Sequence, residues 1–502
     1  MSALLLAVDL GTESVRACVV SADGMILRSA RRGFVLHSPR PGWAEQDPAD
    51  WWAATVETVR EVLNGGPVGG QDIRGIGVCG QMHGPVPLAH DGSLLTGPVQ
   101  LWCDKRAADQ VRTAAGLPDA ARWAAAAGNP PTPAWMGFKI RWEKLHRPDR
   151  YARAWKFLPP KDFLNYCFTG VPATDYSEAS GSFLMDAGRR VWSDTLAAAL
   201  DVEVTVLPEI RPAAEVIGTV TAEAAAETGL AAGTPVVTGG GDMLCLLLGA
   251  GITAFGRACD TTGTASVLSV YSPTPVADPR VMNLHHVTPG WIAFGICDSG
   301  GGALKWWKDL LFADGEAPPD AYEHLDRSAG AEPAGGGGLL FFPYLLGERT
   351  LGSPYARGVL FGLTPGHGRG AISRAIMEGV TLELRRALEL VKSTGLDVRE
   401  MRTIGGGSRS PLWSAIKADV YRLPVRTFAV FEGGLLGAAI LAGTGVGLYT
   451  DAAAAADALV RLDRTYLPTA NADRYDRLFA LFTQTHDLLQ PGFDLLRAGD
   501  QE

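Results

Sequence analysis

Cysteine is scarce and scattered in this 502-residue chain. Cys18, Cys79, Cys103, Cys167, Cys245, Cys259 and Cys297 are odd in number and never form a C-x-x-C pair. That argues against a disulfide framework or a thiolate metal site and fits buried free thiols in a reducing cytosol. An excess of positive charge is also missing. Lys and Arg number 45 against 54 Asp and Glu, and the net charge of −9 works against non-specific attraction to nucleic acid or an anionic membrane. Met243 to Phe255 is uncharged over thirteen residues, short of a membrane span and suited to a buried helix and its exit. The apolar run Ala3 to Val8 lacks a basic leader and stops at Asp9, which reads as a first strand rather than a signal peptide. No G-x-x-x-x-G-K-[ST] loop occurs, so a P-loop nucleotide site is unsupported. One G-x-G-x-x-G does occur, from Gly75 to Gly80, but it lies inside a strand pattern. Gln81-Met82-His83-Gly84-Pro85 follows, where a dinucleotide site needs a helix. The remaining expectation is a cytoplasmic protein with a small-molecule partner, holding any phosphate by local geometry.

What the chain does contain is one short phrase said twice. An apolar strand breaks into Asp9-Leu10-Gly11-Thr12-Glu13-Ser14-Val15, and 252 residues later into Thr261-Thr262-Gly263-Thr264-Ala265-Ser266-Val267. Each copy reads as a hairpin whose Gly-Thr corner exposes backbone N–H groups and hydroxyls. Two such tips facing each other would clamp a polyphosphate. The copies differ in one telling place: Asp9 has Thr261 as its counterpart, so one hairpin offers a carboxylate to a hydrated metal and the other only neutral donors. Two ordinary turns remain the plain alternative for either copy alone.

Length suits two domains, residues 1–252 and 253–502, each near the upper limit for a single core. Strands are expected near 4–8, 17–20, 25–30, 73–79 and 234–238, and helices over 48–63, 135–145, 371–390 and 412–421. Asp47 ahead of Pro48, and Ser410 ahead of Pro411, supply start signals. The fold class is α/β.

Two segments could carry chemistry. Asp242 follows three glycines at the end of a strand and precedes a helix, so its carboxylate stands at an open corner. There it could take the proton of an attacking hydroxyl, or merely cap the helix. Gln81-Met82-His83 forms a loop suited to a polyol pocket, and Trp102, Asp104 and Arg106 could add an apolar wall and hydroxyl partners.

These pieces, taken in order, resemble the FGGY family of carbohydrate kinases over roughly residues 4 to 450, and within it the xylulose kinases. The matches are DLGTESVR from Asp9, GQMHG from Gly80, LWCDKRA from Leu101, FKIRWEK from Phe138, GGGD ending at Asp242, TTGTAS from Thr261, GGGALKWW from Gly300, RGVLFGLTPGHGRGAISRAIMEG from Arg357 and GGGSRSPLW from Gly405. The resemblance implies two actin-like ATPase (ribonuclease H-like) domains with ATP and a sugar or polyol meeting in the cleft between them. It implies phosphate contacts at Gly11, Thr12, Arg16, Thr262, Gly263 and Thr264, and a Mg²⁺ role for Asp9. It places Gly301, Lys305, Gly407 and Ser408 at the nucleotide, Met82, His83 and Trp102 at the sugar, and the catalytic base at Asp242. The expected reaction is transfer from ATP to a ketopentose, D-xylulose first. Erythritol, ribulose and gluconate are alternative substrates, and a non-catalytic actin-like nucleotide-binding protein is the rival reading. The resemblance leaves room for a homodimer. Three departures stand out: Met243 where xylulose kinases place Asn, Ala371 where the second signature has a polar residue, and the extra acid Asp260 beside the second hairpin, facing away or toward Mg²⁺.

Overall fold

The computed structural model describes residues 3–64, 66, 68–312, 317–348, 355–429 and 432–499. Two seven-stranded sheets repeat one order over six of their strands. In the first, strands Ile26–Gly33, Ser14–Ser21 and Leu4–Leu10 run as an antiparallel meander. Ile73–Gly80 joins parallel to Leu4–Leu10, Pro235–Val237 follows, and Val216–Thr219 closes antiparallel. In the second, Trp291–Cys297, Ser266–Ser272 and Gly256–Thr262 form the meander. Val398–Ile404 and Val425–Phe428 add in parallel, and Leu462–Tyr466 closes antiparallel. The duplicated phrase is thus the first β-turn of a duplicated sheet.

Local signals placed the elements well. The helix Pro48–Leu63 starts where Asp47 accepts from the Ala49 N–H at 3.0 Å. The helix Pro411–Tyr421 starts where Ser410 accepts from the Trp413 N–H at 2.9 Å. Ala371 lies buried in the first turn of the helix Arg369–Ser393, where a polar side chain would need a partner.

Between the sheets lies a core built around two helices, Asp242–Gly249 and Gly433–Gly445, with Leu5, Ala7 and Cys79 from one sheet and Cys259 and Ile404 from the other. The second helix comes from the far end of the chain yet packs on strands Leu4–Leu10 and Ile73–Gly80. Its approach explains the G-x-G-x-x-G. A Cβ on Gly77 would overlap the Ala438 carbonyl oxygen, and one on Gly75 would stand 2.7 Å from a Val446 methyl. These glycines admit a helix backbone against a strand backbone, and the cysteines, Cys79 and Cys245 included, are free thiols. Among the described residues, no helix is long and apolar enough to cross a membrane.

Candidate active site

The Gly239–Gly241 turn continues the first sheet: Gly240 and Gly241 pair with Cys79 and Gly80, and Asp242 is then the first residue of its helix. Gly241 occupies the cap position, so Asp242 is not a conventional N-cap; its Oδ1 accepts from the Met243 N–H at 2.6 Å. The turn is held from behind. The Gly241 N–H donates to Ser177 Oγ at 2.9 Å, and the Thr238 carbonyl accepts from Asn165 at 2.7 Å and from the buried Lys161 ammonium at 3.1 Å. Asp242 is half-buried, and loss of hydration, followed by the nearby Asp9 charge, pushes its carboxyl up to about 7.

Asp9 lies opposite Arg16 across the first hairpin and pairs with it at 2.6 Å; Arg16 also meets Glu432 at 2.6 Å, just ahead of the Gly433–Gly445 helix. A cavity of about 490 Å³ opens here, lined by Asp9, Gly11, Thr12, Glu13, Arg16 and Trp102 among others. Trp102 belongs to this hairpin, since its indole N–H donates to Thr12 Oγ1 at 3.0 Å. Met82 is buried, and its sulfur would stand 2.6 Å from a Cβ on Gly241, so the sugar-loop candidate touches the Asp242 turn. His83 is buried beside it. Asp104 and Arg106 do not fit the expected polyol wall. Asp104 accepts from the Ala44 N–H at 2.7 Å and pairs with Arg106, whose guanidinium also bridges Glu45 at 2.7 Å and stacks 3.5 Å over Trp43. Both are buried supports, spent on their own loop.

The second hairpin is one residue tighter: Gly11 N–H bonds to Ser14 O, whereas Gly263 N–H bonds to Ala265 O. Its tip is fixed by the start of the helix Gly300–Leu311, whose Gly301 and Gly302 N–H groups donate to the Gly263 and Thr264 carbonyls at 2.8 and 2.9 Å. A Cβ on Gly301 would overlap the Gly263 oxygen, so only glycine permits that approach. Thr262 turns its hydroxyl inward, donating to Asp260 at 2.6 Å and accepting from Lys417 at 2.7 Å, while Thr264 is exposed. Asp260 faces away from the cleft: its carboxylate pairs with Lys417 at 3.0 Å and accepts from Tyr421 at 2.7 Å, all three fully buried. Lys417→Met leaves Asp260 uncompensated, so we expect a loss of about 3–5 kcal/mol in denaturant unfolding and a raised KM for nucleotide. An unchanged unfolding midpoint would contradict this account of the hairpin's support.

A second cavity, about 540 Å³, runs from Thr262, Gly263 and Thr264 past Gly301 and Gly407. Lys305 stands at its rim, exposed and paired with Asp309 at 2.5 Å. Ser408 does not line it; its hydroxyl donates to the Gly405 carbonyl at 2.8 Å, within its own turn. The sequence reading missed Tyr322, Glu323 and Asp326 on the helix Ala321–Gly330, while Ser410 and Trp413, inside the GGGSRSPLW segment, also line the cavity. That helix carries no motif, only an amphipathic pattern that any surface helix shares.

No group of three or more His, Cys, Asp or Glu side chains suited to a metal occurs among the described residues. With so few protein ligands at hand, Asp9 would fit an ion carried mainly by phosphate oxygens and water, the way Mg²⁺ accompanies a nucleotide.

Sequence models of the N-terminal and C-terminal domains of the FGGY family of carbohydrate kinases match residues 4–249 and 260–446. The chain belongs to the FGGY family. It is an ATP-dependent sugar kinase with the two-domain, actin-like ATPase fold of that family. Among its relatives, the xylulose kinase of Bacillus subtilis (strain 168) is 32% identical over 498 residues, covering 96% of this chain and 97% of that one. The crystal structure of xylulose kinase from Rhodospirillum rubrum superposes with a TM-score of 0.91 at 33% identity, covering 98% of this chain and all of the other. Gluconate kinase from Lactobacillus acidophilus reaches the same TM-score, 0.91, at 24% identity, covering 98% of this chain and all of its own; that likeness is one of fold alone.

Proposed function

We propose that this FGGY kinase transfers the γ-phosphoryl group of ATP to the terminal hydroxyl of D-xylulose, giving D-xylulose 5-phosphate, in the cytoplasm. The observation that carries the chemistry is Asp242: a carboxyl held near pH 7, beside Asp9 and at the start of a helix, on a turn that touches the Met82–His83 loop. A base poised near the working pH accepts a hydroxyl proton efficiently. In this reading Asp242 takes that proton as the sugar oxygen attacks, and the tips at Gly11–Thr12 and Gly263–Thr264 orient the phosphates in line. Arg16 stands at the first tip, and Gly301, Lys305 and Gly407 border the nucleotide cavity. Thr262 contributes its backbone and methyl group, since its hydroxyl is engaged, and Ser408 stiffens the turn after Gly405. Asp9 would hold Mg²⁺ through water, and the ion, when bound, supplies neutralisation of phosphate charge.

D-Xylulose is favoured by the full-length similarity to xylulose kinases. Met243 is the reason for a broader panel: it is half-buried against the central core and offers no amide to a hydroxyl. Sugar-dependent ADP release is to be measured with D-xylulose, the ribuloses, erythritol and gluconate, with products identified by NMR. The expected result is the highest kcat/KM for D-xylulose. A tenfold preference for another member, roughly 1.4 kcal/mol, would replace the sugar and leave the kinase; no sugar-dependent release at all would favour a nucleotide-binding switch.

A further inference from the structure

His83 adopts a backbone conformation that residues with side chains seldom take, with φ at 70°, and it does so while buried. Two buried charged side chains grip its main chain from opposite sides. The Lys139 ammonium donates to the His83 carbonyl at 3.3 Å and to the Ala134 carbonyl at 2.7 Å. The Glu178 carboxyl accepts from the His83 N–H at 3.4 Å. The His83 ring meets Trp135, the residue after Ala134, edge-on with centroids 5.0 Å apart. On its other side it lies against Gly181, where a Cβ would overlap it.

Both side chains are shut away from water, and among the described residues neither makes a direct ion pair, although Lys139 feels the charges of Asp104 and Glu178 and Glu178 feels that of Lys161. Burial pushes Lys139 down to about 7 and Glu178 well above the usual carboxylate range. Burial, with Lys139 nearby, keeps His83 well below its ordinary value against the opposing pull of a backbone contact at Gly181, so the imidazole is neutral. A chain that only needed packing here would place apolar side chains at 139 and 178. The same short helix that carries Glu178, Tyr176–Ser180, also carries Ser177, which holds the Gly241 N–H. One helix therefore ties the His83 loop to the Asp242 turn.

We propose that Lys139 and Glu178 are positioning residues for the sugar, holding His83 in its left-handed conformation so that its imidazole is presented to a substrate hydroxyl. The proposal rests on the sugar-kinase reading and does not depend on which sugar the panel selects. It separates two roles in the site: Asp242 acts on the proton, whereas Lys139 and Glu178 act through His83 on substrate binding.

The test is a double-mutant cycle read on KM for the preferred sugar and KM for ATP separately. Lys139→Met is expected to raise the sugar KM about tenfold or more with the ATP KM within about twofold. In a His83→Ala background, where no ring remains to be placed, the same change is expected to add less than about twofold, because the two residues act as one unit. Glu178→Gln keeps a carbonyl acceptor for the His83 N–H and is expected to stay within about threefold of wild type, whereas Glu178→Leu raises the sugar KM. That pair tests the clamp without touching the lysine, so it decides the matter even where Lys139→Met unfolds. Additive losses in the cycle, equal rises in both KM values, or equal effects of the two Glu178 variants would overturn the positioning role while leaving the kinase intact. Failure of the wild type to phosphorylate any sugar would overturn both readings together.

Discussion

Asp242→Asn is expected to lower kcat by about 10²- to 10⁴-fold while leaving nucleotide affinity nearly unchanged. Asparagine keeps the size of the side chain and an acceptor oxygen, so the turn and helix start survive, and what is lost is a site for the hydroxyl proton. A variant retaining more than a tenth of the rate would end the general-base role. The pH profile carries the same argument. With the carboxyl at about 7 in the free protein, kcat/KM for the sugar should climb as pH rises toward 7 and level off above it, and the Asn variant should lack that limb. Stability moves the other way. A carboxyl whose folded-state value lies above its unfolded value of about 3.9 keeps a proton in the native state that the unfolded chain has released. Stability therefore falls with rising pH between the two values and is flat beyond the upper one. The free Asn variant should consequently melt higher than the wild type at pH 8. An equal or lower melting temperature there would mean that Asp242 is ionised in the folded protein at much lower pH.

Gly437→Val should damage the scaffold severely. A Cβ at 437 would overlap the carbonyl oxygen of Cys245, in the turn of helix that follows Asp242, and stand 3.0 Å from the Cys245 Cα. Because the obstacle is backbone on both sides, no rotamer change relieves it, and the two central helices must separate. We expect a loss of at least about 3 kcal/mol in unfolding stability. Any folded fraction should show a kcat lowered by about 10²-fold, since the displaced helix carries Asp242 and an error of about 1 Å costs that much. A variant with wild-type melting and rate would show that the Asp242–Gly249 and Gly433–Gly445 helices need not cross so closely.

Some of this was open to a reader of the chain and some was not. The hairpin pair and the helix starts at Asp47 and Ser410 depend on neighbours in sequence: a Gly-Thr corner bends where it stands, and a cap bonds two or three residues ahead. The strand glycines could be refused as a dinucleotide fingerprint because no helix start followed, but the reason for them, Ala438, lies some 360 positions away. The types of Asp104 and Arg106 suit hydroxyl partners as well as a structural role, and their partners Ala44, Glu45 and Trp43, some sixty residues upstream, decide for structure. Asp260 had two possible faces, and Lys417 and Tyr421 selected one. The nucleotide-side wall at Tyr322, Glu323 and Asp326 carried no local signature at all.

From its order of residues alone, the chain determined two like α/β halves, a pair of phosphate-type turns with one carboxylate between them, and membership of a kinase family, because turns, caps and strand patterns are short-range and survive without knowledge of the whole. Tertiary structure decided which polar groups remain for a ligand. A buried charge or hydroxyl has to find its partner somewhere in space, and only the packed molecule shows that Thr262 and Asp260 are already engaged while Asp242, half-buried and near Asp9, has its carboxyl pushed up to about 7.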